Sequence, residues 1–194
     1  MAPALLPVLA VPAPDGPRHH TGTGRSACVT GISMDIKELF ITQKENEHKG
    51  TLGVYSKIPR ERLDWRPVDG LLSLGQLARH AWMSEQGARR IAIDGDWSYY
   101  ETRVPKGLFV ILGEVKSLDE ELEQMDRVHQ ETLRAAKELP LERWDEIRDN
   151  AAWNTRLPVG VLLFRIIDHQ VHHRAQVGTY MRVLTGQRAS PYVL

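Results

Sequence analysis

The feature that most constrains this chain is the segment 166–176, which gathers three histidines into five consecutive residues of an otherwise apolar, helix-like run. A helix turns about 100° and rises about 1.5 Å per residue, so His169 and His173 lie on one face, roughly 6 Å apart along the axis. One helix offers two imidazoles to one metal ion with this spacing. His172 points to another side, which predicts a surface position or a supporting role.

The alternative to a metal site is a pair of ordinary core histidines. His169 and His173 share their face with Ile166 and Val177, so both imidazoles are expected to be buried among aliphatic side chains. Burying two imidazoles costs free energy unless both are satisfied, and one divalent cation satisfies both. The pattern therefore favours a metal site.

Charge and composition exclude several classes of function. The 194 residues are 42% hydrophobic and 26% charged, which is ordinary for one globular domain. Lys plus Arg balance Asp plus Glu at 25 each. Nucleic-acid and membrane-surface binding usually need a clustered basic surplus, and no segment approaches the about 20 apolar residues of a membrane span. The single Cys28 fits a reducing compartment, so we expect a cytoplasmic protein that binds neither nucleic acid nor membranes.

The first 33 residues differ from the rest of the chain. Five prolines and four glycines interrupt any helix there, which predicts a disordered leader over 1–33 and a folded domain over 34–194. No Lys or Arg precedes the apolar segment 2–11, and prolines interrupt it, which argues against a secretion signal. Because the helical pattern begins right after Met34, we expect Met34 to be the natural start.

Apolar residues recur at helical spacing in four segments after the leader, over about 35–57, 73–93, 117–139 and 159–185. Ser73 with Gln76, and Ser117 with Glu120, have the spacing of capping boxes, and Gly186 is placed to end the last helix. No segment shows strand alternation. We therefore expect an all-α, antiparallel four-helix bundle with long second and third connections. The predicted inward face of the first helix contains Ile36, Leu39, Phe40, Gln43, Glu47, Thr51, Val54 and Ile58.

A metal site needs further ligands, and periodicity alone leaves the choice open. His80 on the second helix and His129 on the third both share their faces with apolar neighbours. His48, beside Glu47 on the first helix, offers an imidazole or a neighbouring carboxylate. Facing helices of a bundle do build metal sites from inward side chains, so each geometry is physically reasonable.

Three segments resemble the DinB-like superfamily, a set of metal-binding four-helix bundles that includes bacillithiol- and mycothiol-dependent S-transferases. The most specific is 169–176 with the helix that follows it; the others are helix two at 73–80 and the loop 64–67 before it. The resemblance implies a three-histidine metal site at His80, His169 and His173, and it gives His129 no catalytic role. The chain has Ala175 where the family usually has glycine, and we expect the helix to tolerate this difference.

The resemblance also implies a class of function. Three imidazoles leave an open position on a divalent ion, with zinc or nickel expected. Relatives use such an ion to activate a low-molecular-weight thiol, so we expect a metal-dependent thiol S-transferase or hydrolase with a small-molecule substrate, and a homodimer is implied. The alternative is a non-catalytic binding or structural module stabilised by metal.

Catalytic and cofactor-binding residues beyond the three histidines are not apparent from the sequence. As general bases we nominate Glu47, His48 and His129, and we expect the aromatic connection 97–100 to form part of the pocket wall.

Overall fold

The computed structural model describes residues 35–186. The predicted leader over 1–33, Cys28 and the proposed start at Met34 lie outside the described residues, so they stay predictions. Within the described range, no helix combines the length and apolar character that crossing a bilayer requires.

Four long helices form the body of this structure. They are α1 (Ile36–Tyr55), α2 (Leu74–Asp94), α5 (Leu118–Glu138) and α6 (Val159–Thr185). Each prediction agrees with these bounds to within about two residues. Their ends follow the expected chemistry: Ser73 and Gln76 form a reciprocal capping box, Ser117 caps α5, and Gly186 ends α6 in the left-handed region at φ 71°. Ala175 lies within the unbroken α6, as expected.

The four helices pack around two apolar clusters, one at each end of the bundle. Val54, Leu74, Leu118 and Val177 share one cluster, so the end of α1 lies beside the starts of α2 and α5 and the last third of α6. The other cluster joins the opposite ends of the same helices. Hence α1 and α6 run in one direction while α2 and α5 run in the other. The all-α four-helix bundle is confirmed, with α2 antiparallel to α6 and α1 antiparallel to α5, while α2 and α5 are parallel.

The second connection is long because of these directions. Since α2 and α5 run the same way, residues 95–117 must carry the chain back along a bundle about 30 Å long. The connection contains two short helices, α3 (Ser98–Arg103) and α4 (Leu108–Leu112). Arg79 on α2 holds its far end by donating to the carbonyls of Leu112 (2.8 Å) and Glu114 (3.0 Å). The connection therefore lies against α2 and forms a wall of the bundle.

The third connection contains a β-hairpin that the sequence analysis missed. Strands β1 (Ile147–Asn150) and β2 (Thr155–Pro158) pair antiparallel, with Ile147 opposite Pro158. The turn depends on local polar chemistry, because Asn150 Oδ1 accepts from Ala152 N–H and Asn154 adopts φ 46°. Arg148 ties the hairpin to the end of α2 by donating to the carbonyls of Ala92 (3.0 Å) and Ile93 (3.3 Å).

The predicted inward face of α1 was wrong in part. Ile36 and Leu39 are 48% and 40% exposed, and Gln43 is exposed too. The face that packs inward instead contains Phe40, Lys44, His48, Thr51 and Tyr55. The helix is rotated relative to the prediction, and Lys44 and His48, which are not among the predicted inward residues, are both buried.

Gly75 provides a test of how the first and second connections pack against the start of α2. A Cβ at this position would lie 2.9 Å from Val115 Cβ and 3.0 Å from the Leu63 carbonyl oxygen. These atoms belong to well-packed segments on both sides of the helix, so the gain in helix propensity should not offset the clash. We expect Gly75→Ala to lower Tm by about 3–8 °C in calorimetry. An unchanged or raised Tm would contradict this packing.

Candidate metal site

The antiparallel neighbours α2 and α6 bring three distant histidines together. His80 on α2 faces His169 and His173 on α6, and one ring nitrogen from each lies within 4.8 Å of the others. The Nε2 atoms of His169 and His173 are 3.1 Å apart. His173 is buried, while His80 and His169 are half-buried. Within residues 35–186, these three histidines are the histidine, cysteine or carboxylate side chains that are arranged to hold a metal ion.

Hydrogen bonds orient two of these imidazoles. An amide oxygen only accepts, so the 2.9 Å contact between His173 Nδ1 and Gln176 Oε1 places the proton on Nδ1. Gln176 is held in turn by donating from Nε2 to the Tyr180 hydroxyl at 3.2 Å. In neutral His173 the Nε2 lone pair therefore points at the cluster. His80 Nδ1 lies 3.1 Å from Ser84 Oγ, which orients that ring without selecting its tautomer, because a hydroxyl can donate or accept.

Burial keeps the three imidazoles neutral. Desolvation, reinforced by the proximity of His173, lowers the pKa of His80 to about 4. Desolvation and the neighbouring His173, His80 and His172 lower the pKa of His169 to about 3. The pKa of His173 is also lowered, chiefly by burial. Because a metal ion binds the neutral imidazole, the cluster is in its ligating form at neutral pH.

A cavity of about 330 Å³ lies beside the cluster, between α2, α6 and the second connection. His169 forms part of its wall. The other lining residues are mostly apolar: Ala81, Ser84, Glu85, Ala88, Ile91, Trp97, Tyr100, Val104, Thr155, Leu162, Arg165 and Ile166. The expectation that the aromatic connection would form part of the wall is confirmed by Trp97 and Tyr100. A smaller cavity of about 90 Å³ is lined by His80 and shares Ser84, Tyr100 and Val104 with the first.

The structure separates the remaining nominated residues from this cluster. His172 is exposed on α6, as expected. The three residues nominated as general bases, Glu47, His48 and His129, do not line the cavity within the described range. Glu47 pairs with Arg174 at 2.6 Å instead. The nomination of these three as bases for chemistry at the cavity is therefore wrong.

The two nominated histidines belong to a second polar cluster in the middle of the bundle, centred on Lys44. Its side chain is fully buried, and Nζ lies 3.0 Å from Glu85 Oε1, 3.0 Å from His129 Nδ1 and 3.1 Å from Gln170 Oε1. Gln170 also donates to Glu85 Oε2 at 2.5 Å. Each of the four long helices thus supplies one side chain to this cluster, which we call the Lys44 network.

His48 extends the Lys44 network towards the surface. Its ring stacks on His129 with centroids 3.7 Å apart, and its Nε2 lies 3.0 Å from Oδ1 of the half-exposed Asp126. Burial and the nearby Lys44 lower the pKa of His129 to about 2, and burial also lowers the pKa of Lys44. His129 is therefore a neutral acceptor for the lysine, which explains its buried position without a catalytic role.

Glu85 is the cavity residue that sequence reasoning missed. It is buried, one residue from Ser84, and it joins the cavity wall to the Lys44 network. A signal was available, because Glu85 lies four residues after Ala81 and three before Ala88 and so shares their apolar helical face. The partner that makes a buried glutamate acceptable, Lys44, is 41 residues away in the sequence and gave no corresponding signal.

The fold and the cluster together define a four-helix bundle with a candidate metal site formed by two facing helices. The chain belongs to the DinB superfamily, because the model of that family matches residues 45–177. Comparison with curated protein sequences gave no match.

Solved structures of DinB-like proteins resemble this one in fold. The protein from Bacillus subtilis aligns with a TM-score of 0.62 at 17% identity, covering 79% of this chain and 96% of that one. The protein from Bacillus cereus aligns with a TM-score of 0.60 at 19% identity, covering 80% of this chain and 95% of that one. The resemblance to the superfamily inferred from the sequence is thereby confirmed.

Removing the buried amine tests the Lys44 network. Lys44→Met leaves the Glu85 carboxylate buried without its cation, so we expect a loss of about 3–5 kcal/mol in the free energy of unfolding, measured with urea. Adding Glu85→Gln removes the unpaired charge and should restore at least about half of that loss. Lys137→Met, at an exposed lysine 3.6 Å from Glu45, is the control and should cost less than about 1 kcal/mol. If Lys44→Met and Lys137→Met lowered the free energy of unfolding equally, a central role for Lys44 would be contradicted.

The lowered histidine pKa values predict how stability depends on pH. The unfolded chain takes up protons on His80 and His169 near pH 6.5, whereas the folded protein does so only near pH 4 and pH 3. Their contribution to stability is therefore complete above pH 6.5 and is lost as pH falls below it. In the presence of a chelator, the urea midpoint should decrease as the pH is lowered from about 7 to about 5, a range in which most carboxylates do not yet titrate. His80→Asn should flatten this slope, and His172→Asn should not.

Proposed function

We propose that the protein binds a divalent metal ion through His80, His169 and His173 and acts as a metal-dependent thiol S-transferase or hydrolase. The observation that carries the proposal is the convergence of three neutral imidazoles within 4.8 Å beside a cavity of about 330 Å³. A purely structural ion would need no such cavity next to it. Zinc or nickel suits a site built from imidazoles alone.

The donor set suits catalysis because it is incomplete. When bound, the ion would supply positive charge and an open coordination position that lowers the pKa of a thiol or of water. Gln176 and Ser84 orient the imidazoles, so little rearrangement is needed before binding. The apolar wall limits the water that competes with a low-molecular-weight thiol or a small substrate for the same space.

Glu85 does not act as a free base in this proposal. Its Oε1 lies 3.0 Å from Lys44 Nζ, and its Oε2 accepts from both Lys44 and Gln170. Both oxygens therefore already face the lysine amine or the Gln170 amide. We therefore assign Glu85 a structural role in the wall.

A second reading is a non-catalytic module in which the ion joins α2 to α6. The placement of His80 on one helix and of His169 and His173 on the other favours this alternative, because one ion would then cross-link two helices. Both readings require the metal, and they differ in whether a further ligand can reach it.

Metal content tests the requirement that both readings share. After reconstitution with zinc and removal of excess ion, we expect about one equivalent per chain by mass spectrometry of the metal. His80→Ala and His169→Ala should each retain less than about a tenth of that amount. His172→Ala, on the same helix but exposed, is the matched control and should bind zinc normally. Zinc content unaffected by His169→Ala would sink the proposed site.

Cobalt spectroscopy separates the enzyme from the structural module. In the cobalt-substituted protein, an added thiol such as cysteine should produce a sulfur-to-metal charge-transfer band if an open position faces the cavity. A spectrum that the thiol leaves unchanged would favour the structural module. Filling the cavity with Ala88→Trp should weaken the thiol response while leaving cobalt binding intact.

A further inference from the structure

The large cavity has an uneven distribution of charge. Among its lining residues, Glu85 and Arg165 are charged, and the rest are apolar, hydroxyl-bearing or neutral imidazole side chains. The charge of Glu85 is compensated by the amine of Lys44 at 3.0 Å. Among residues 35–186 no carboxylate pairs with Arg165, so the described lining of the cavity carries a net positive charge before any metal binds.

Arg165 is the arginine of the cavity wall, and it differs from several arginines elsewhere in the bundle. Arg79, Arg148 and Arg174 each form an ion pair with a carboxylate. Arg165 is exposed and forms no ion pair or hydrogen bond with any residue in the range 35–186. An unpaired guanidinium on the wall of an apolar cavity is free to bind an anion from outside the protein.

The position of Arg165 on α6 sets where that anion would lie. Arg165 precedes His169 by four residues, so both project from one helical face, about 6 Å apart along the axis. Leu162 and Ile166 lie on the same wall, and Trp97 and Tyr100 lie on the connection. An apolar ring that contacts this wall would therefore lie close to both the guanidinium and the imidazole cluster.

We propose that the cavity binds small ring-containing carboxylic acids, with the carboxylate on Arg165, the ring against the aromatic wall and the opposite end of the molecule towards the histidines. A carboxylate matches the guanidinium fork with two parallel hydrogen bonds. The inference rests on the proposed function only in naming the substrate class of the same site, because the carboxylate is held by Arg165 and not by the metal.

Calorimetric titration of three isosteric probes tests this specificity. 2-Naphthoate, 2-naphthylmethanol and 2-naphthylmethylamine share one ring system and differ in charge. With metal-free protein in chelator at about pH 7.5, we expect naphthoate to bind about ten-fold more tightly than the alcohol, and the amine to bind most weakly. Zinc-loaded protein should show the same order.

Substitution of Arg165 tests whether its guanidinium causes the preference for a carboxylate. Arg165→Gln should reduce the preference for naphthoate over the alcohol to less than about two-fold, while Arg165→Lys should keep part of it. Arg182→Gln, at another exposed arginine of α6 outside the cavity, is the matched control and should keep the full preference. No binding of any probe below about 1 mM, a preference for the alcohol or amine, or a preference unaffected by Arg165→Gln would each overturn the inference. If metal binding fails while the naphthoate preference follows Arg165, the proposed function fails and this inference stands.

Discussion

A buried charge determines how the four helices can fit together. Lys44 lies at the centre of the bundle, and the side chains that satisfy its amine come from the three other long helices: Glu85, His129 and Gln170. Sliding any helix by one turn would leave a buried charge without a partner, which costs several kcal/mol. Apolar side chains of similar volume tolerate such a slide far better. The network thereby fixes the relative positions of α2 and α6, on which His80 and His169 meet.

Much of the fold and two of the three imidazoles followed from local patterns. Helix ends are set by neighbours within about four residues, so Ser73, Ser117 and Gly186 could be interpreted directly. The pair His169 and His173 is local as well, because one helix presents both. His80 is 89 positions from His169, and periodicity could not distinguish it from His129; the family resemblance did.

What the sequence concealed depends on contacts between distant segments. A lysine on a helix normally projects into solvent, and no residue near Lys44 in the sequence indicated that its side chain is buried. The inward face of α1 was therefore predicted incorrectly. The apolar face around Glu85 indicated an inward position, but the partner that compensates its charge, Lys44, is 41 residues away in the sequence. The short strands of the hairpin are stabilised by Arg148 contacting the end of α2, more than 50 residues away, and not by an alternating apolar pattern.

The parallel course of α2 and α5 has a consequence for how proteins of this shape diversify. The segment 95–117 is obliged to run the length of the bundle, and it also supplies Trp97, Tyr100 and Val104 to the cavity. The imidazoles and the Lys44 network lie on other elements. Insertions, deletions and substitutions in this segment can therefore reshape the cavity while the arrangement of the three imidazoles stays unchanged, so one scaffold can accommodate different ligands.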